Sequence, residues 1–385
     1  MRILFLNYEF PPIGGGGANA NAYLFREFSK NRQITIDCVT STMASRDEQI
    51  KLADNITLYR LVIGKGQLHY WTQREVLTWL WRADHFVASL LKQRSYDICH
   101  AFFGFPAGAV AWRRRDDLPY LVSLRGSDVP GFNPRFGLQY LLLKPLFRKI
   151  WRGAGEVVAN SAGLKLLANR FTPDIPISII PNGIDTTEFY PSPPGNKVAG
   201  RILCVSRLVE RKGVHDLIEA MPKVVESCPE AHLLIIGEGD QLNLLKQRTQ
   251  ELKLADRIAF YGYVPHEQLP SLYRSAELFV QPSFYEGMSN TVLEAMASGL
   301  PIIATGEGGR EELLGENSLT APFGHPKAQA EQRDTLLLNR ERSSCMGAIS
   351  REIAEDFSWA NVAKSYLASY QSLRSSGISS RNRRS

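Results

Sequence analysis

The chain has 385 residues, of which 44% are hydrophobic and 22% are charged, and its formal net charge is +6. This length and composition predict a globular protein of two or three domains and exclude a low-complexity chain. Five cysteines without paired spacing argue against a disulfide framework or a zinc site and indicate a reducing compartment, and no apolar run reaches the roughly 18 residues that a membrane-spanning helix needs.

Seven apolar segments of the first half have the length of buried strands and alternate with helical patterns. The predicted strands are Arg2–Leu6, Ile34–Val39, Ile56–Val62, Asp97–His100, Tyr120–Ser123, Glu156–Ala159 and Ile177–Ile180, and the predicted helices lie near residues 18–30, 71–94, 106–115, 135–152 and 161–170. The opening segment is too short for a secretory signal and contains Asn7 and Glu9, so it is interpreted as the first strand. The alternation predicts a mostly parallel sheet covered on both faces.

A run of four glycines, residues 14–17, separates the first strand from the first helix. Glycine lets backbone N–H groups approach a ligand closely, which makes Gly15 and Gly16 candidate binding residues. A dinucleotide-binding loop needs a third glycine where Asn19 stands, and this loop is longer, so a dehydrogenase is disfavoured. A loop without a ligand is the alternative.

Polar residues follow two predicted strands at the sheet edge where open α/β sheets bind ligands. His100 ends one strand, and Arg125 and Asp128 follow the next. His100 is either a structural histidine or part of a cleft, and Asp128 either binds an acceptor substrate or caps its loop. Arg125 stays charged at neutral pH, so it can hold a hydroxyl, a carboxylate or a phosphate but cannot transfer protons.

Two helical segments, residues 70–94 and 138–152, mix bulky apolar, aromatic and basic residues as helices on anionic lipid do. Lys and Arg exceed Asp and Glu by eight in residues 1–185 and fall short by two in residues 186–385. This imbalance suggests that the first half meets an anionic surface such as a membrane. The alternative is a pair of ordinary core helices with basic edges, which Pro145 favours by interrupting a continuous face.

A proline-rich segment, residues 191–196, predicts a linker, after which the alternation of strands and helices resumes. The predicted strands are Arg201–Val205, Leu233–Ile236, Ile258–Tyr261, Leu278–Val280 and Pro301–Ala304, and the predicted helices lie near residues 213–227, 240–252, 266–274 and 289–298. This pattern predicts a second doubly wound α/β domain.

Charged residues follow two strands of this second half. Arg207 ends one strand, and Lys212 begins a helix, where a cation opposes the helix dipole by about 0.3–1 kcal/mol unless an anion lies nearby. Glu286 lies in a strand-to-helix loop, Ser289 is a good N-cap, and Glu294 follows about five residues into the helix.

The start of that helix combines two kinds of ligand-binding group. Its free N–H groups can hold a phosphate, whereas the two carboxylates repel phosphate and accept hydrogen bonds from sugar hydroxyls. Asn290, Thr291 and Glu294 share one helical face, and Val292, Leu293 and Met296 point into a core. Phosphate on the amides and sugars on the carboxylates describe a nucleotide-sugar.

The stretch from Phe284 to Pro301, with its two glutamates eight positions apart, resembles the signature of glycosyltransferase family 4, whose members are retaining enzymes of the GT-B fold. Further segments that match the family are 179–185, 206–213 and 305–312, and the resemblance covers about residues 1–316 and 356–373. It implies an α/β protein with two Rossmann-like doubly wound domains facing across a cleft. Residues 1–185 with a closing helix at about 357–373 would form the acceptor-side domain, residues 198–355 the nucleotide-sugar domain, and residues 374–385 a disordered tail.

The resemblance also implies roles for single residues. Arg207 and Lys212 would hold the donor diphosphate, Glu286 would accept hydrogen bonds from the donor sugar, and Glu294 would accept them from the ribose. Many relatives carry His where Arg125 stands, so a His-based role does not carry over to this position. The other donor-side candidates are Gly15, Gly16, Gly237, Val264, Gly287, Met288, Ser289, Asn290 and Thr291, and the acceptor-side candidates are His100, Arg125 and Asp128.

The predicted function is that of a retaining glycosyltransferase, a hexosyltransferase of EC 2.4. It would move a sugar from a UDP- or GDP-linked donor to a saccharide or lipid-linked saccharide, in surface polysaccharide or lipopolysaccharide synthesis. The predicted location is the cytoplasm or the inner membrane face, with no nucleic-acid partner, and with fixed cations in place of a metal or other cofactor. The alternatives are another GT-B nucleotide-sugar enzyme, such as an epimerase or hydrolase, and a catalytically silent nucleotide-sugar-binding protein.

Overall fold

The computed structural model describes residues 1–68, 70–132, 137–193, 195–284, 288–305 and 313–381. The chain forms two compact units. Unit 1 comprises residues 1–182 and 359–385, and unit 2 comprises residues 183–358.

Unit 1 is built on a sheet that is parallel except for one edge strand. Its strands are β1 (Arg2–Leu6), β2 (Thr35–Thr42), β3 (Glu48–Ala53), β4 (Ile56–Val62), β5 (Ile98–Phe102), β6 (Tyr120–Leu124), β7 (Glu156–Ala159) and β8 (Ile177–Ile179), in the order β3-β4-β2-β1-β5-β6-β7-β8. The connecting helices are α1 (Gly16–Ser29), α2 (Gln73–Gln93), α3 (Ala107–Trp112), α4 (Gly137–Gly153) and α5 (Ala162–Phe171). The strand order reverses between β1 and β5, so the unit is doubly wound as predicted.

Strand β3 was not expected from the sequence. It pairs antiparallel with β4, and its side chains are half-buried or exposed, as is usual for an edge strand. The central strands, such as β5 and β6, are buried at every position. Burial on both faces explains why these strands are continuous apolar runs without a polar alternation.

Unit 2 is built on an entirely parallel sheet. Its strands are β9 (Arg201–Val205), β10 (His232–Ile236), β11 (Ile258–Gly262), β12 (Leu278–Gln281), β13 (Ile302–Ala304) and β14 (Ser318–Thr320), in the order β11-β10-β9-β12-β13-β14. The helices are α6 (Val214–Ser227), α7 (Leu242–Glu251), α8 (Leu269–Ser275), α9 (Asn290–Ala297), α10 (Pro326–Leu338) and α11 (Arg340–Asp356). The order reverses between β9 and β12, and in such sheets the crevice beyond the carboxyl ends of these two strands is the usual ligand site.

The last helix of the chain, α12 (Trp359–Arg381), belongs to unit 1. Trp359 stacks on Tyr23 of α1 with ring centroids 5.6 Å apart, and Tyr366 and Tyr370 are buried against the sheet. The helix is longer than expected: residues 374–381, for which disorder was expected, continue it. In the described part of the chain, no helix is long and apolar enough to cross a membrane.

Candidate active site

Two loops at the carboxyl edge of the unit 2 sheet approach each other closely at glycines. Gly237 has φ +130°, and a Cβ there would lie 1.9 Å from the carbonyl oxygen of Ser206. A Cβ on Gly239 would lie 2.1 Å from the carbonyl oxygen of Leu208, whose N–H donates to Glu238 O at 2.8 Å. Only glycine permits this approach. It fixes the loop that carries the exposed side chain of Arg207 against the Gly237 loop.

A second close approach brings the Lys212 turn to the end of β12. Gly213 has φ +64°, and a Cβ there would lie 2.1 Å from the carbonyl oxygen of Pro282. The N–H of Phe284 donates to the carbonyl of Arg211 at 2.9 Å. The half-buried Lys212 therefore lies beside the start of the segment that leads into α9. The loop after β9 and the loop after β12 thus meet at the point where the strand order reverses.

Part of this segment is not described. Residues 285–287 and 306–312 lie outside the described residues, so Glu286 and Gly287 remain predictions from the sequence. Met288 is described and is buried in a core on one face of the unit 2 sheet.

The start of α9 is capped as predicted. Ser289 Oγ accepts a hydrogen bond from the N–H of Val292 at 3.4 Å and donates one to Gln281 Oε1 at 2.9 Å. The strand was expected to end before Gln281, but β12 continues through this residue, whose side chain is buried. Gln281 anchors the cap, while the half-buried Asn290 and Thr291 lie in the first turn. A polar residue at the end of a buried strand was the one available signal for this role.

Glu294 is buried and lies between two donors from other elements. Its Oε2 accepts a hydrogen bond from the hydroxyl of Tyr273 at 2.8 Å, and its Oε1 lies 3.3 Å from Nε2 of His266. Burial, followed by the charge of Glu294, raises the pKa of Tyr273 well above its ordinary value. Neither partner was predicted from the sequence, because both are distant from Glu294 in the chain and belong to no local motif.

The loops after β10 and β11 meet beside this edge. The N–H of Gly237 donates to the carbonyl of Gly262 at 2.8 Å, and Gly262 has φ +67°. Val264, two residues further on, is half-buried and packs against the core below α9. The predicted contact of this segment with a nucleobase stays a prediction.

In unit 1, the glycine run surrounds the start of α1 at the carboxyl end of β1. Gly15 and Gly16 are exposed, and a Cβ on Gly15 would meet nothing within 4 Å. By contrast, Gly14 has φ +109°, and a Cβ on Gly17 would lie 2.7 Å from the ring of Phe103. Packing and backbone conformation therefore explain Gly14 and Gly17, whereas no neighbour among the described residues requires glycine at position 15.

His100 occupies the interior of unit 1. It lies in the middle of β5, because this strand runs to Phe102 and does not end at residue 100 as expected. Its ring is fully buried, with Nδ1 2.6 Å from the hydroxyl of Tyr370 and Nε2 2.7 Å from Oγ of Ser123. Burial and the nearby Arg125 charge lower its pKa well below the ordinary range. Of the two possibilities, the structure shows the structural histidine, which ties α12 to the sheet.

Asp128 closes the loop after β6. One carboxylate oxygen accepts hydrogen bonds from the N–H groups of Arg125 and Gly126, both at 2.8 Å, and the other accepts one from Gly104 at 2.6 Å. The side chain is almost fully buried, and burial raises its pKa. Because three backbone N–H groups donate to this carboxylate, Asp128 acts as a loop cap. It retains little capacity to bind an acceptor substrate.

Arg125 lies over the ring of Phe102, 3.7 Å from its centroid, and donates to Asn182 Oδ1 at 2.9 Å. Burial lowers its pKa, although charges on nearby acidic groups oppose this. Its Nε is buried without a partner in the described part of the chain. The guanidinium thus keeps one unused donor.

Neither a disulfide nor a metal-binding cluster is present among the described residues. All five cysteines are free thiols, and no group of three His, Cys, Asp or Glu side chains is placed to hold a metal.

Comparison with known proteins assigns the chain to a family. The model described as Glycosyltransferase Family 4 matches residues 14–188, and the model described as Glycosyl transferases group 1 matches residues 188–353. Mannosylfructose-phosphate synthase of Agrobacterium fabrum is 35% identical over 93% of this chain and 87% of that protein. A GDP-mannose-dependent α-(1-6)-phosphatidylinositol monomannoside mannosyltransferase of Mycobacterium tuberculosis is 29% identical, and the match spans 57% of this chain and 63% of that protein, less than two thirds of its length.

The solved structure of sucrose-phosphate synthase from Thermosynechococcus elongatus superimposes with a TM-score of 0.80 over 98% of this chain and 100% of that chain, at 22% identity. This likeness and the two parallel-sheet units show the GT-B fold. The chain belongs to glycosyltransferase family 4.

Proposed function

We propose that this protein is a retaining glycosyltransferase that moves a sugar from a nucleoside-diphosphate sugar to a saccharide or lipid-linked saccharide acceptor. The observation that carries the proposal is the composition of the unit 2 sheet edge. The loop of Arg207 and the turn of Lys212 follow β9, α9 with its capped start and the buried carboxylate of Glu294 follows β12, and the strand order reverses between these two strands.

Each of these groups suits a different part of a nucleotide-sugar. The side chains of Arg207 and Lys212, with the N–H groups at the start of α9, suit the negative diphosphate. Glu294 suits the ribose, because a carboxylate accepts hydrogen bonds from neighbouring hydroxyls. Glu286 takes the donor sugar in this proposal, on the strength of the family resemblance.

In the reaction, the bond from the anomeric carbon to the diphosphate oxygen breaks and a bond to the acceptor oxygen forms on the same face of the sugar. The acceptor proton passes to the departing diphosphate. Negative charge therefore grows on the diphosphate, and fixed cations stabilise it more in the transition state than in the ground state. The backbone contacts of Gly213 and Gly237 hold the two loops in place before substrate arrives, so little reorganisation is needed.

In unit 1, exposed Gly15 and Gly16 let a ligand approach the backbone at the start of α1. No side chain in the described part of the chain fills the position of a Cβ on Gly15, which fits a ligand-facing glycine. The half-buried side chain of Arg125 is a second candidate contact for an acceptor or donor oxygen.

Membrane attachment is a finer part of this proposal. Leu77 and Trp81, one turn apart on α2, are 55% and 63% exposed, and Leu141 and Leu142 on α4 are 66% and 71% exposed. Trp79 is fully buried, so α2 is a core helix with an apolar outer stripe. An exposed apolar stripe beside a basic surface suits the interface of an anionic bilayer.

The function is tested by incubating the purified protein with UDP- and GDP-linked sugars and lipid-linked saccharides, with product masses determined. Transfer with retained anomeric configuration supports the proposal. Free sugar released at the same rate with and without acceptor supports a hydrolase instead, and nucleotide binding without turnover supports a silent binding protein. Sedimentation with anionic but not neutral vesicles, reduced in a Leu141→Gln/Leu142→Gln variant, tests the membrane contact.

A further inference from the structure

Among the residues that the structure describes, the carboxylate of Glu294 has two partners, one at each oxygen. Tyr273 of α8 donates to Oε2 at 2.8 Å, and Nε2 of His266 lies 3.3 Å from Oε1. A carboxylate offers about four acceptor positions, so two remain for a ligand. Two donors that approach from different elements also fix the plane of the carboxylate, which decides where the remaining positions point.

His266 is itself held in place. Its ring packs edge-on against Phe189, with centroids 5.5 Å apart and planes at 65°. Phe189 is fully buried and packs in the same manner against Tyr273 at 5.7 Å. One aromatic side chain therefore orients both donors of Glu294. The imidazole keeps a third of its surface exposed and can exchange protons with solvent.

The position of His266 along the chain links two parts of the proposed donor site. It opens the short 3-10 turn His266–Gln268 that follows β11, two residues after Val264. The segment that would contact the nucleobase thus also supplies a donor to the carboxylate that would contact the ribose.

The charges around this imidazole favour its protonated form. The hydrogen bond with Glu294 is the largest cause that raises the pKa of His266, and the carboxylates of Glu188 and Glu267 raise it further, whereas burial lowers it. Tyr273, on the helix packed beside it, stays neutral because its own pKa is raised. Near neutral pH, this histidine is therefore more cationic than an ordinary one.

We propose that His266 is a positioning residue for the donor nucleotide: it holds Oε1 of Glu294 so that the free acceptor positions of this carboxylate face the ribose hydroxyls. Its positive charge also offsets the carboxylate charge in a site that receives a diphosphate. This inference rests on the proposed nucleotide-sugar function and adds to it a residue that the sequence analysis did not single out.

The direction of the pH effect follows from linkage. An anionic nucleotide binds better when His266 is protonated, so affinity is highest below the pKa of His266 and falls as pH rises through it. A neutral imidazole protonated on Nε2 still donates to Glu294 but no longer supplies charge. Glutamine at this position keeps a neutral donor, and alanine removes donor and charge together.

The test measures Kd by calorimetry for UDP and GDP and for their 2′,3′-dideoxy forms, at pH 6 and pH 8.5. The variants are His266→Gln and His266→Ala, with His232→Gln on the first residue of β10, at the opposite edge of the same sheet, as matched control. At pH 6, His266→Ala is expected to raise the Kd of the preferred ribonucleotide about 10-fold and that of its dideoxy form less than about 2-fold. His266→Gln is expected to retain part of the preference for ribose. Its Kd is expected to depend less on pH than the Kd of the His232→Gln control.

The inference is overturned if the wild-type protein does not prefer the ribonucleotide over its dideoxy form. It is also overturned if His266→Ala leaves that preference and the pH dependence unchanged. Failure of the proposed function looks different, because the wild-type protein would then bind neither UDP nor GDP. A loss of folding would appear as a lowered melting temperature of His266→Ala and His266→Gln. It would weaken the binding of the ribonucleotide and of its dideoxy form equally.

Discussion

Replacing Lys212 by alanine removes one cation from the proposed diphosphate site while leaving its scaffold unchanged. The turn is held by backbone groups, because Gly213 touches the carbonyl of Pro282 and the N–H of Phe284 bonds to the carbonyl of Arg211. Truncating the half-buried Lys212 side chain breaks none of these contacts. The variant should therefore fold normally and lose activity only.

The size of the loss follows from the burial of the site. Two unit charges about 4 Å apart interact by ~4 kcal/mol at an effective dielectric constant near 20. The half-exposed position of Lys212 reduces this interaction, and removing one group that stabilises developing charge typically costs about 2.7–4 kcal/mol. At the lower limit of that range, turnover is expected to fall about 100-fold. Glu286→Gln is expected to lose a similar factor, as a contact to the donor sugar is weakened.

The assay is steady-state transfer from the preferred nucleotide-sugar, with kcat and KM determined separately. Lys246→Ala, which removes an exposed lysine from α7 of the same unit, is the matched control and is expected to keep full activity. Lys212→Arg, which keeps the charge, should recover part of the rate. Activity of Lys212→Ala within about 3-fold of the wild-type value would refute the assignment of this lysine to the diphosphate.

Three further expectations concern the same unit. Glu294→Gln should raise the Kd of UDP or GDP about 10-fold, measured by calorimetry, and an unchanged Kd would remove this carboxylate from the donor site. Gly237→Ala should lower the free energy of unfolding by about 2–4 kcal/mol in urea, since its Cβ would clash with a carbonyl oxygen at positive φ, whereas Gly315→Ala, with open space around it, should not. Within the described residues, the fully buried Arg333 bonds only through Nη2, to the buried Gln329, and its Nε and Nη1 have no partner. Gln329→Leu/Arg333→Met should therefore raise the free energy of unfolding by about 1–3 kcal/mol, and a decrease would show that the buried pair is stabilising.

The sequence predicted most of the architecture because the signals involved are local. Buried parallel strands are short apolar runs, and their alternation with helices defines a doubly wound sheet within each half of the chain. The elements that escaped prediction, β3 and β14, are edge strands with partly exposed side chains, so their hydrophobic patterns are weak. Helices α10 and α11 lie where the family resemblance fades, and their apolar faces are interrupted by charged residues.

For the site, the sequence by itself determined the features that depend on neighbouring residues in the chain. These are Ser289 as a cap, the face shared by Thr291 and Glu294, and the cations that follow β9. Only the tertiary structure decided which distant groups meet. Glu294 meets Tyr273 and His266 because α8 packs beside α9 and the turn that carries His266 leads into α8. A side chain at a given spacing fixes its own face of a helix, but its partner depends on how the sheet is assembled, and that order is not written in any local pattern.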